Sequence, residues 1–70
     1  MERQKVNSSN IKSIGYETES NTLEIEFKDG GVYQYLNVPE SIFKGLMSAS
    51  SHGSYFHKHI KDKYRGKKIN

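Results

Sequence analysis

Two tyrosines separated by one residue, Tyr33 and Tyr35, are the first side chains in this sequence whose type and spacing suit ligand binding. On a strand they share one face, and aromatic rings exposed on a sheet stack on unpaired nucleobases. A three-residue turn at Asp29–Gly31 would place both rings beside apolar side chains of the preceding strand, and a two-residue turn would place them beside its glutamates, which repel phosphate. Both registers disfavour a stacking platform, so we interpret Tyr33 and Tyr35 as core residues with a mainly structural role.

A second set of candidate residues is basic and lies towards the end of the chain. Residues 41–70 carry seven basic residues and one acidic residue, whereas residues 1–40 carry four basic and seven acidic residues. Lysines at i, i+3 spacing on a helix, with more basic residues just beyond it, can contact successive phosphates. The predicted phosphate contacts are Lys58, Lys61, Arg65, Lys67 and Lys68. The alternative is the solvated side of an amphipathic helix, interrupted by Asp62, and the residues alone leave both interpretations open.

No recognisable arrangement for metal binding or catalysis occurs in the sequence. His57 and His59 are two residues apart and would project to different faces of a helix, unlike the i, i+4 pair of a shared metal site. Glu24 and Glu26 alternate with apolar residues, which is the pattern of any half-buried strand. No serine lies in a nucleophile motif, and no glycine-rich loop precedes a helix start. We therefore predict a binding module that is not an enzyme and holds no metal or cofactor.

The elements that position these residues follow from the hydrophobic period, which changes at the only proline, Pro39. Before Pro39 the pattern mostly alternates, which predicts strands over residues 11–18, 23–27 and 32–36. After it the pattern is helical, with Pro39 expected as the first residue of a helix and with Ser51 or Ser54 as the cap of a second one.

The two ends of the chain carry no such pattern. The polar segment before residue 11 is expected to be frayed at its start, and residues 65–70 are expected to lose regular structure.

These elements predict an α+β fold, with a three-stranded antiparallel meander followed by two short helices packed on one face. Seventy residues without cysteine leave room for one domain and exclude a disulfide framework. The absence of an apolar leader or spanning segment predicts a cytoplasmic protein with no membrane partner. An exposed edge of the first or third strand would allow strand addition, so a protein-interaction or homodimerisation domain is the alternative, as a monomer or weak dimer.

Several short motifs follow one another along the chain and together resemble the KTSC domain over about residues 7–65. These motifs are Ser8-Ser9-Asn10-Ile11, Ile14-Gly15-Tyr16, Leu23-Glu24-Ile25-Glu26-Phe27, Tyr33-Gln34-Tyr35, Val38-Pro39 and Gly53-Ser54-Tyr55-Phe56. The resemblance implies one KTSC-like domain over residues 1–70, with a core at about 7–65 and a basic tail at 65–70. The Tyr-x-Tyr motif supports membership without assigning these tyrosines a binding role.

The KTSC domain stands alone in many bacterial and phage proteins and is also appended to the C-terminus of some lysyl-tRNA synthetases. By this resemblance the implied partner is RNA, with tRNA as one candidate. The acidic sheet face formed by Glu24 and Glu26 does not suit RNA, so we expect any RNA contact on the helical side.

Overall fold

Five antiparallel strands and two helices form the protein in the computed structural model, which describes all 70 residues. The elements are β1 (Arg3–Lys5), β2 (Ile11–Glu17), β3 (Thr22–Phe27), β4 (Val32–Tyr35), α1 (Glu40–Ser48), α2 (His52–His59) and β5 (Gly66–Lys68). The strands form one sheet in the order β1-β2-β3-β4-β5, and both helices lie between β4 and β5 in the chain. The predicted α+β class is confirmed, and β2, β3 and β4 are the predicted meander.

The ends of the sheet differ from the prediction, because both terminal segments form edge strands. β1 pairs with β2 through Arg3↔Gly15, and β5 pairs with β4 through Tyr35↔Gly66. The expectation that residues 65–70 lose regular structure was therefore wrong, and β1 begins two residues into the segment whose start was expected to be frayed. Every residue of both strands is exposed, so neither shows the apolar alternation that marks a half-buried strand.

The two added strands also change which backbone groups are available for strand addition. β2 and β4, the first and third strands of the predicted meander, are interior strands, so the expectation that either offers an open edge was wrong. The open edges belong to β1 and β5, each three residues long and bearing basic side chains. Short, charged edge strands are a common protection against edge-to-edge pairing.

A bulge in β2 at Lys12 keeps two isoleucines on one face of the sheet. Ile11 pairs with Phe27, whereas Ser13 pairs with Glu26, so the register shifts by one residue between them. Without this shift Ile11 and Ile14, three residues apart, would point to opposite faces. Both side chains are fully buried, so the bulge brings Ile11 and Ile14 into the same core.

The hairpin between β3 and β4 has a three-residue turn, one of the two lengths that the sequence left open, and it lies one residue earlier than Asp29–Gly31. Phe27 N–H donates to the Gly31 carbonyl at 2.8 Å, which leaves residues 28–30 as the turn, and Gly30 has a φ of 102° that favours glycine. Tyr33 consequently pairs with Ile25 and not with Phe27. The partner of Tyr33 changes by two residues, from Phe27 to Ile25, and residues two apart in a strand lie on the same face. Both tyrosines therefore remain on the face that carries Ile25.

The helices begin and pack as their caps and apolar spacing require. Pro39 is the N-cap of α1 and not its first residue, and Ser51 caps α2 by accepting the Ser54 N–H at 3.2 Å. A Cβ on Gly45 would lie 2.1 Å from the Tyr55 hydroxyl oxygen, so glycine in α1 makes room for this ring of α2. Neither helix has the length or the continuous apolar character needed to cross a membrane.

The two faces of the sheet differ in what they contact. The face under α1 and α2, here called the covered face, supplies most of a core of nine buried side chains. These are Ile11, Ile14, Leu23, Ile25, Tyr35, Val38, Leu46, Phe56 and Ile60. The opposite face, here called the open face, has no helix over it and carries the alternate, mostly polar residues of the same strands.

Candidate functional site

A cleft of about 440 Å³ opens on the covered face, between the β3–β4 hairpin and α2. Its floor consists of four aromatic side chains, namely Phe27, Tyr33, Tyr35 and Phe56. Its rim is polar and consists of Ser9, Asn10, Lys28, Asp29, His57 and Lys61. An aromatic floor inside a polar rim is the usual composition of a ligand site.

The aromatic floor is held by ring contacts between the sheet and α2. Phe56 lies edge-to-face with Phe27 and with Tyr35, at centroid distances of 5.4 and 5.5 Å, and Phe27 contacts Tyr33 in the same way at 5.7 Å. Such contacts stabilise a fold by about 0.5 to 1.5 kcal/mol each beyond the area they bury. Tyr35 and Phe56 thus belong to the buried core, and the partly buried rings of Phe27 and Tyr33 pack against it.

Tyr35 is the deeper of the two tyrosines and is anchored by a glycine in β5. Its side chain is only 7% exposed, and a Cβ added to Gly66 would lie 2.4 Å from the ring, so the ring lies directly over Gly66. Burial, and secondly the neighbouring Tyr33, raise the pKa of Tyr35 above its ordinary value. The hydroxyl has no hydrogen-bond partner in the protein and is not sealed from solvent, and Tyr35 is one of the residues that line the cleft.

Tyr33 is half-buried and forms a wall between two depressions. One side faces the cleft, and the other faces a second depression of about 350 Å³ whose further lining residues are Asp29, Gly30, Gly31, Lys68 and Asn70. Lys68 lies directly across from Tyr33 in the β4–β5 pairing, which places both on the covered face. Tyr33 is thus more accessible than Tyr35, although the same structural role was predicted for both.

Three of the five predicted phosphate contacts lie on the covered side of the molecule. Lys58 and Lys61 are exposed on α2 and on the turn that follows it, because α2 ends at His59. Lys61 belongs to the rim of the cleft, and Lys68 to the second depression. The expected basic helix is therefore shorter than predicted, and its charge continues through a turn and a strand.

The other two predicted contacts point away from this surface. Lys67 pairs with Gln34 and shares its position on the open face. Arg65 lies two residues earlier, where its carbonyl accepts the Leu36 N–H at 2.9 Å, so the same alternation places it towards the open face. Arg65 and Lys67 were predicted to act with the helical lysines because the sequence of residues 65–70 does not indicate a strand.

The rim also contains polar residues that the sequence analysis did not select. Asn10 precedes β2 and Lys28 begins the hairpin turn, and the Lys28 N–H donates to the Asn10 carbonyl at 2.9 Å. This bond joins two loops that are distant in sequence, so residue spacing could not reveal it. His57 was considered only as a metal ligand, and in the structure it lies on the rim beside Phe56.

The histidines do not converge on a common point. The ring nitrogen Nδ1 of His52 lies 2.8 Å from the Leu46 carbonyl at the end of α1, and the His59 ring packs against Tyr55. No group of three or more histidine, aspartate or glutamate side chains is arranged to hold a metal ion.

The open face carries a network of polar side chains that bond to one another. Arg3 in β1 forms an ion pair with Glu24 in β3, and its Nε donates to the Ser13 hydroxyl at 3.0 Å. Gln34 donates to the second oxygen of Glu24 at 2.9 Å, and Ser13 donates to Glu26 at the same distance. The acidic residues of this face are therefore largely neutralised within the protein.

Gly15 allows the Arg3 side chain to extend across β2 to Glu24. It lies between Arg3 and Glu24 in the cross-strand pairing, so the arginine side chain passes over a position without a side chain. A Cβ there would lie 2.6 Å from the Glu2 carbonyl oxygen and 3.0 Å from Cγ of Arg3. The glycine of the Ile14-Gly15-Tyr16 motif thus allows β1 to pack closely against β2.

The geometry defines a class of small α+β domain, in which a five-stranded meander is covered on one face by two helices and an aromatic cleft opens beside the second helix. The KTSC domain model matches residues 7–64, and the chain belongs to the KTSC domain family. A KTSC domain protein from Yersinia pestis, whose crystal structure is known, is 48% identical, and the match covers 99% of this chain and 97% of that one with a TM-score of 0.96.

Two further relatives show the contexts in which similar sequences occur. A lysine–tRNA ligase from Nostoc punctiforme is 44% identical over 61 residues, which is 87% of this chain and 11% of the ligase. The chain therefore spans about a tenth of the length of that ligase. An uncharacterised protein from Stutzerimonas stutzeri is 36% identical over 64 residues, with coverage of 91% and 90% of the two chains.

Proposed function

We propose that this protein is a non-enzymatic RNA-binding module whose RNA contacts lie on the covered side, around the aromatic cleft. The observation that supports this most strongly is the cleft itself, with four aromatic rings at its floor and Lys28 and Lys61 on its rim. Proteins that bind single-stranded RNA combine positive charge along the phosphates with aromatic faces for the bases. Both components occur here within one surface.

The distribution of charge across the sheet supports the same side. On the open face Glu24 and Glu26 are adjacent, and the arginine that neutralises them leaves little positive charge for a phosphate chain. On the covered side Lys58, Lys61 and Lys68 form no ion pair within 4.0 Å, so their charges are available to an anion. An approaching RNA would thus meet unpaired lysines on one side and a closed acidic network on the other.

The similarity to part of a lysine–tRNA ligase supports RNA as the partner and makes tRNA the first RNA to test. The matching segment is only 11% of the ligase, so the ligation reaction is not part of the proposal. Small size and a preference for phosphates and unpaired bases would suit a module that adds affinity for cytoplasmic RNA.

The test is the salt dependence of binding to a labelled single-stranded RNA of about 12 nucleotides, which is within the site sizes of single-strand binders. Three to five phosphate contacts predict a slope of log affinity against log salt of about −2 to −3.5. Neutralising Lys61 by Lys61→Gln should flatten this slope by about 0.7. Lys44→Gln is the matched control, because Lys44 lies in α1 and its nearest acidic partner is Glu40 at 3.9 Å. If the parent binds neither this RNA nor tRNA at low salt, the proposed function is wrong.

A further inference from the structure

We propose that the cleft takes one unpaired base of single-stranded RNA, which stacks on the exposed side of Tyr33 while the adjoining phosphates lie near Lys61 and Lys68. This inference rests on the proposed function and adds the part of the RNA that the cleft recognises. It differs from purely electrostatic binding, in which the bases make no contribution.

The volume of the cleft and the position of Tyr33 are compatible with a base stacked on this ring. The cleft has a volume of about 440 Å³, within the range of roughly 300 to 1,000 Å³ for small-molecule sites, so it can admit a planar ring system. Tyr33 separates it from the second depression of about 350 Å³. A nucleotide whose base enters the cleft would therefore have its sugar and phosphate beside the wall formed by Tyr33, within reach of the depression that contains Lys68.

The rim of the cleft carries a carboxylate as well as lysines. Asp29 lies on the rim, and one of its oxygens accepts the Gly31 N–H at 2.9 Å, so a hydrogen-bond acceptor borders the space. The same carboxylate can accept the N–H groups of a base edge. Lys61 lies on the rim and Lys68 in the neighbouring depression, which Asp29 also lines, and a phosphate chain would pass beside these two lysines.

Two polar groups of the cleft have no partner within the protein. No side-chain hydrogen bond within the protein involves the Tyr35 hydroxyl or the amide of the exposed Asn10, and both residues line the cleft. On the open face, by contrast, Arg3 and Glu24 bond to each other. Donors and acceptors without protein partners beside an aromatic floor match the edge and the face of a base.

The experiment compares a six-nucleotide oligoadenylate with an abasic ribose phosphate chain of the same length and charge. The intact oligomer should bind about 5- to 150-fold more tightly, which is the range for one base stacked on an aromatic ring. Tyr33→Leu should bring the two affinities within about threefold of each other without changing the salt slope, whereas Tyr33→Phe should preserve the difference. Thermal unfolding of both variants checks that they fold.

A second readout uses the unmodified protein, so that it does not depend on the variants. An oligomer with one 2-aminopurine flanked by abasic positions, where no neighbouring base quenches it, should lose fluorescence on binding, because stacking on a tyrosine ring quenches this base. Equal affinity for the intact and abasic chains, with a normal salt slope and no quenching, would overturn base capture and leave RNA binding in place. Failure of both chains to bind at low salt would overturn the proposed function together with this inference.

Discussion

The covered and open faces of this sheet are built from alternate residues of the same strands, yet their polar groups differ in whether they have hydrogen-bond partners within the protein. On the open face the buried carboxylate of Glu24 is bonded by Arg3 and Gln34, and no sealed polar atom in the protein lacks a partner. On the covered face the apolar core ends at a cleft, where the Tyr35 hydroxyl and the Asn10 amide reach solvent without protein partners. A surface whose polar groups bond to one another serves the fold, and one whose groups lack partners suits a ligand.

Loss of the ring that joins the core to the cleft should have the largest effect on folding. Tyr35→Ala removes a side chain that is 7% exposed and packed on Phe56 and Gly66, and we expect a loss of about 3 to 5 kcal/mol, enough to unfold most of the chain. Gln34→Ala, the adjacent residue on the open face, should cost only about 1 kcal/mol. Chemical denaturation of both variants measures the difference. A Tyr35→Ala protein as stable as Gln34→Ala would refute the core assignment of this ring.

The next largest effect on stability is expected at Gly66, which lies beneath the Tyr35 ring. Gly66→Ala would bring a methyl group within 2.4 Å of the Tyr35 ring, so ring or strand must shift, at a cost of about 1 to 3 kcal/mol. The control is Gly53→Ala, where the nearest atom lies 3.7 Å away and the position is helical. The stabilities of Gly66→Ala and Gly53→Ala are compared by their midpoints of chemical denaturation. We expect Gly53→Ala to be neutral or stabilising, and a similar loss in both variants would show that the contact with Tyr35 is not the cause.

The strength of the residue pattern decides which parts of the fold the sequence could predict. β3 alternates cleanly between apolar and acidic residues, and Phe56 and Ile60 fall at helical spacing, so the meander and the second helix were found. β1 and β5 have no buried residue, and their backbone pairing leaves no trace in side-chain type. The role of Gly66 was equally hidden, because a glycine in a basic segment indicates a break unless the ring above it is known.

The candidate site was predictable only in its parts. The Tyr-x-Tyr motif and the lysines are both evident in the sequence, but nothing in their spacing indicates that Lys61 and Tyr33 border one cleft. That proximity depends on the hairpin register and on where α2 ends, which are properties of the packed structure. The same dependence separates Lys68 from Lys67, since one residue in a strand changes the face.

The ion pair on the open face should have a moderate effect. Arg3→Ala leaves the nearly buried Glu24 carboxylate with one partner fewer, and we expect a loss of about 1 to 2 kcal/mol because Arg3 itself remains partly solvated. Lys5→Ala is the matched control, since Lys5 is in the same strand and forms no ion pair within 4.0 Å. Adding Glu24→Gln to Arg3→Ala should restore part of the stability. If the double variant is less stable than the sum of its single changes, the uncompensated charge is not the cause.

The smallest expected effect is a dependence of stability on alkaline pH. Since the pKa of Tyr35 is raised in the folded protein above the ordinary value of 10.0, the unfolded chain releases this proton first. The stability that Tyr35 contributes is therefore complete below about pH 10 and falls as the pH rises through the folded-state value. The free energy of unfolding should fall less between about pH 8 and pH 11 in Tyr35→Phe than in the parent. Chemical denaturation of both proteins at these two pH values measures the difference. Tyr64→Phe is the control, and an equal loss in parent and Tyr35→Phe would contradict the assigned burial.

The most direct test of the difference between the two faces neutralises three lysines on each. One variant carries Lys58→Gln, Lys61→Gln and Lys68→Gln on the covered side, and the other carries Lys5→Gln, Lys12→Gln and Lys67→Gln around the open face. Both lose the same net charge, so a general electrostatic attraction would weaken RNA binding equally. We predict that the covered-side variant binds single-stranded RNA at least about tenfold more weakly at low salt and has a salt slope flatter by about 2, while the open-face variant stays within about threefold of the parent. Equal losses in the two variants, or a larger loss from the open-face variant, would contradict the account.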